Sequence, residues 1–170
     1  YLEEQLKSIF TQTIRPSAIW IIQYENHFNV NSILNKYSGL EYLYSSLNLK
    51  YFGRFSFGNH AKTDYIWILD DDVIPGIKWL ENSLAACERH DAIVSSAGRI
   101  IPRGQFYLRY RPENESYFVG DITKNTSYNF CQEDTIVDFG CNGWLIKTDW
   151  LEEFWAQSEK LGGIKKWVRF

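Results

Sequence analysis

With 170 residues, of which 45% are hydrophobic, the chain has the size and apolar content of one domain with a real core. A net charge of −3 with scattered Lys and Arg offers no basic field, which sets nucleic acid aside as a partner. No apolar run approaches the roughly 20 residues of a membrane-spanning helix, so the chain reads as a soluble domain with a cytoplasmic setting favoured. Cys87, Cys131 and Cys141 are odd in number and lack metal-site spacing, and buried thiols are expected.

Leu2, Leu6, Ile9 and Phe10 recur at helical spacing and predict an opening amphipathic helix. Arg15-Pro16-Ser17 breaks that pattern, and residues 18–22 form a short apolar run that suits a buried strand. Residues 26–31 read as a loop, 32–44 as weakly helical around Gly39, and 47–51 as another short strand. A short helix is expected over 53–62. Strands alternating with helices of this length argue for α/β layers around a largely parallel sheet.

The stretch Tyr65-Ile66-Trp67-Ile68-Leu69-Asp70-Asp71-Asp72 organises the rest. Five large apolar residues without polar alternation predict a strand covered on both faces. Three adjacent carboxylates then repel one another, which calls for a cationic neighbour. In an extended segment Asp70 and Asp72 would share one side, with Asp71 on the other. Two such carboxylates at the carboxyl end of a strand suit a hard divalent ion that also holds phosphates. Asp also caps helices and favours turns, and Pro75-Gly76 does introduce a helix carrying Ile77, Leu80, Leu84 and Cys87 and running to His90.

Residues 92–96 are a further buried strand. From 99 to 134 the character changes to loops and short antiparallel strands, with Arg99, Arg103, Arg109 and Arg111 among aromatics and two glycosylation-type triplets at Asn114 and Asn125. Residues 135–139 and 144–147 are apolar runs joined by Gly140-Cys141-Asn142-Gly143, and a helix is expected over 150–161.

The helix at 6–13, the run 16–22, the stretch Thr63 to Asp72 and the segment from Val137-Asp138-Phe139 to Trp150-Leu151, in this order, resemble a GT-A-fold glycosyltransferase of the family 2-like branch with an Asp-x-Asp motif. That resemblance implies a Rossmann-like three-layer α/β/α sandwich with a mostly parallel central mixed sheet. It also implies that residues 1–170 are a single catalytic domain, a fragment lacking the first strand and part of the carboxyl-terminal region. The implied reaction moves a sugar from a nucleotide-sugar donor, UDP favoured, to a hydroxyl of a glycan or other acceptor, with Mn²⁺ or Mg²⁺. On this reading Asp72 is the most direct metal ligand, Asp70 reaches the ribose or a metal-bound water, and Asp71 either assists them or faces the protein. Arg54 stands where similar enzymes contact the nucleotide, and its guanidinium suits a phosphate. Asp138, an acid in an apolar run, is the expected general base, and Trp144 a platform for a sugar ring. His60 and Lys62 receive no role. The alternatives are a nucleotidyltransferase, which wants a Gly- and Lys/Arg-rich phosphate loop, and a non-catalytic carbohydrate- or nucleotide-binding domain.

Overall fold

The structure, a computed structural model, describes residues 1–100, 117–118 and 133–160. It opens on α1 (Leu2–Phe10), which buries Leu6 and Ile9, while Phe10 stacks on Tyr37 with centroids 5.3 Å apart. Then come β1 (Ile19–Tyr24), α2 (Asn31–Leu34), β2 (Leu40–Ser45), α3 (Lys50–Gly58) and β3 (Tyr65–Leu69). The chain continues through α4 (Trp79–His90), β4 (Val94–Ile100), β5 (Tyr117–Phe118), β6 (Phe139–Lys147) and α5 (Trp150–Lys160). No helix among the described residues is long and apolar enough to cross a membrane.

Several expected boundaries move, each for a local reason. The segment 32–44 divides into α2 and β2, because Gly39 takes a left-handed φ of +79° that no helix continues through. Residues 47–51 form no strand and lead instead into α3, whose Phe52 and Phe55, three apart on one face, meet Trp155 and Phe154 of α5. The α4 helix begins at Trp79, leaving Ile77 59% exposed. The runs expected at 135–139 and 144–147 are not two elements: β6 passes straight through the glycines, and residues 135–138 stay outside it. Gly143 is there for proximity, since a Cβ at that position would sit 2.8 Å from Ser96 Oγ. Arg103, Arg109, Arg111, Cys131 and both glycosylation-type triplets lie outside the described residues. Cys87 is buried as expected, whereas Cys141 is half-buried.

The strands form two sheets. In the first, β1 and β2 pair in parallel, Ile19 opposite Leu40. In the second, of order β3-β6-β4-β5, every described pairing is antiparallel. The α/β class stands, but the parallel part of the described sheet is confined to β1 and β2. An unbroken apolar run reports that both faces are covered; it carries no information about the direction of the neighbouring strand. Covered they are. Tyr65 and Trp67 face α4, with Trp67 stacked on Trp79 at 4.9 Å, while Ile66 and Ile68 pack with Ile146 and Leu151 under α5. Leu145, 1% exposed, sits between β3 and β4 and packs with Leu80 and Cys87. Burying each such side chain contributes about 1.5–3 kcal/mol, so β3 is delivered to its carboxyl end on a well-fixed frame.

Candidate functional site

The acidic run begins where β3 stops. Asp70 is already outside the strand, and Asp71 and Asp72 form a turn in which the Val73 N–H donates to the Asp70 carbonyl at 3.3 Å. The expected alternation of Asp70 and Asp72 on one side therefore does not hold, because it applies only while the backbone stays extended. Asp70 is instead singled out from its neighbours. Its side chain is 25% exposed and forms an ion pair with Arg54, equally 25% exposed. Asp71 and Asp72 are exposed.

Arg54 reaches this position from α3, and its guanidinium carbon lies 5.5 Å from the centroid of the Trp144 ring. The structure thus brings Arg54, Asp70 and Trp144 together as one stack. Trp144, expected as a sugar platform, is half-buried: its ring packs against the Ile68, Ile146 and Leu151 cluster and has the Arg54 guanidinium beside it. The structure also supplies the cationic neighbour that three adjacent carboxylates call for. A buried phenol stands close by. The Tyr24 hydroxyl, at the end of β1, has no hydrogen-bond partner among the described residues and packs against Gly53, and burial pushes its pKa up while Arg54 opposes that shift.

Asp138 is placed differently from its expected setting. It is exposed and precedes β6, so the cost of an acid inside an apolar strand, which singled it out as a base, does not arise. Because β6 runs antiparallel to β3 with Gly143 opposite Leu69, residues before Gly143 extend past the carboxyl end of β3. Asp138 therefore stands on the same edge as the acidic run, four residues or roughly 13 Å of strand beyond Asn142.

The backbone of the acidic loop is held from two sides, by residues to which the sequence reading assigned no part. From β6, Asn142 takes a left-handed φ of +70° at a bulge opposite Ser96, and its carbonyl accepts the Asp70 N–H at 3.0 Å. From α1, the Gln5 side-chain amide donates to the carbonyls of Asp70 and Val73, both at 2.7 Å. Further along, Ser8 donates to the Pro75 carbonyl, and Gln12 donates to that of Gly76 at 2.8 Å while accepting the Leu80 N–H at 3.0 Å. Gln5 and Gln12 are only 7% and 4% exposed. A usable signal existed: Gln5, Ser8 and Gln12 form a polar row at helical spacing beside the apolar row of α1, where water would be expected to face only charged residues.

A cavity of about 450 Å³ lies at the opposite, amino end of β3, lined by residues including Asp64, Tyr65, Lys147 and Asp149. It shares no residue with the acidic loop. Among the described residues no three His, Cys, Asp or Glu side chains converge as a metal cage. The donor set at the loop fits a hard divalent cation of another kind, one held by one or two carboxylates with the remaining positions filled by phosphate and water.

The three carboxylates at the carboxyl end of β3 stand where α/β sheets bind their ligands. The family model described as glycosyl transferase family 2 matches residues 1–155, and the chain belongs to that family. It is accordingly a glycosyltransferase with the GT-A α/β fold, which sets aside the nucleotidyltransferase and the non-catalytic module. No curated protein matches the chain.

Proposed function

We propose that this domain transfers a sugar from a nucleotide-sugar donor, with a UDP-sugar favoured, to a hydroxyl of a glycan or other acceptor, and that the donor diphosphate and its divalent ion are held at Asp70–Asp72. One observation carries the reading: Arg54 matches one of the three adjacent negative charges, leaving the exposed pair Asp71 and Asp72, whose joint charge balances that of a divalent cation. Asp72 and Asp71 would hold Mn²⁺ or Mg²⁺ directly. Asp70, fixed through both its backbone and its side chain, would orient a metal-bound water or the ribose with the carboxylate oxygen that Arg54 does not take. The ion, when bound, supplies Lewis-acid stabilisation of the charge that grows on the departing diphosphate. Arg54 enters this scheme through Asp70, not as the phosphate contact that the sequence suggests.

Calorimetric titration with UDP, GDP and their sugar derivatives, with and without Mn²⁺, tests the reading. The expected result is UDP binding that requires Mn²⁺. Tight metal-independent binding, or binding of none of these nucleotides, would remove the proposal.

A further inference from the structure

Resting on that reading, we propose that Gln5 is a positioning residue for the donor site, acting through the backbone of the acidic loop. Its carboxamide faces two carbonyl oxygens, those of Asp70 and Val73, at 2.7 Å each. Only the nitrogen end of the amide can serve both, so the orientation of the group follows from its partners. These two carbonyls bracket Asp71 and Asp72. Fixing them sets the path of the turn from which both exposed carboxylates project. The Asp70 carbonyl is the point where the grips converge, since it receives both the Gln5 amide and the Val73 N–H. Gln5 is 7% exposed, so water cannot readily replace it, and a side chain without donors would take this partner from the Val73 carbonyl and leave the Asp70 carbonyl with the Val73 N–H alone.

Gln12 provides the contrast. It donates to the Gly76 carbonyl and accepts the Leu80 N–H in the first turn of α4, beyond the acidic turn, and is placed to anchor the fold, not the site. The two glutamines are similarly buried, on the same segment, and differ in what they hold.

The experiment compares Gln5→Met and Gln12→Met in the whole domain by amide hydrogen exchange, thermal unfolding and Mn²⁺-dependent UDP titration. Gln5→Met is expected to speed exchange of the Val73 amide about tenfold or more relative to amides of β3, and to weaken UDP binding in the presence of Mn²⁺ by about tenfold, the scale of one lost net hydrogen bond. Gln12→Met is expected to lower the unfolding temperature with UDP affinity unchanged. A folded Gln5→Met variant with wild-type Val73 exchange and wild-type UDP affinity overturns the proposal. So does a pair of variants that lose stability and affinity in the same proportion. Should Gln5→Met fail to fold, Gln5→Asn, which retracts the amide by one methylene, carries the same comparison. If the wild-type domain binds no nucleotide with Mn²⁺, the donor-site reading falls on its own account, and the role of Gln5 is decided by Val73 exchange alone.

Discussion

At its carboxyl end β3 runs into a loop with many fixed groups: Asp70 is held by Arg54, Gln5 and the Asn142 carbonyl, with two exposed carboxylates beside it. At its amino end the same strand borders a cavity of about 450 Å³ whose nearest ion pair, Lys147 with Asp91, is formed by side chains 30% and 77% exposed. The end with the cavity is the less constrained one. Volume alone would have pointed away from the acids; the convergence of buried amides and a partly buried ion pair points toward them, because such groups are costly unless they hold something in place.

The largest effect should come from Asp72→Ala set against Asp64→Ala, one carboxylate from each end. The first is expected to weaken Mn²⁺-dependent UDP binding by roughly a hundredfold or more, the scale of a lost direct metal ligand, and the second to leave titrations unchanged. Equal behaviour of the two would erase the distinction between the ends. Next in size is Arg54→Met against Asp91→Asn, read by urea unfolding. Removing Arg54 leaves Asp70 uncompensated in a setting only 25% exposed, with an expected loss of about 1–3 kcal/mol. Arg54→Lys should recover part of it, since a lysine keeps the charge but neither the planar fork nor the stacking on Trp144. Asp91→Asn breaks an exposed pair, and its loss should be the smaller of the two.

The smallest effect is pH dependence, and it belongs to the amino end. Burial pushes the Cys87 thiol above its ordinary value of 9.0, burial and then Glu88 push up the Tyr65 phenol, and the hydrogen bond to Asp91 raises Lys147. Each of these groups holds its proton more tightly when folded. Their contributions are fully present below the unfolded values and are lost as pH rises through the folded ones. The unfolding temperature should therefore decline from about pH 9 upward, the thiol's ordinary value. Cys87→Ala should flatten the first part of that decline; an unchanged slope would show that the buried thiol takes no part in it.

Much of the frame was legible because the relevant signal is one of covering. The run from Tyr65 to Leu69 announced helices on both faces, and α4 and α5 supply them. The location of the acids at the end of that strand followed too. What the sequence did not disclose was strand direction, since pairing between β3 and β6 depends on a return path and not on the composition of either partner. Nor did it disclose the bulge at Asn142, whose glycine neighbours read as a linker. Asp138 was misplaced for a related reason: Val137 and Phe139 gave it an apolar setting in sequence that it lacks in space. Arg54 was located as a candidate, yet its partner was not, because a guanidinium matches phosphate and carboxylate equally well.

Gln5 of the first helix and Gln12 just beyond it grip main-chain oxygens, and every amino acid carries one. Natural drift or deliberate engineering could thus rewrite the side chains at 73, 74 and 76 without loosening the hold, provided the trace of the chain is kept. Variety in what the loop presents to a sugar donor is compatible with constancy in where it presents it.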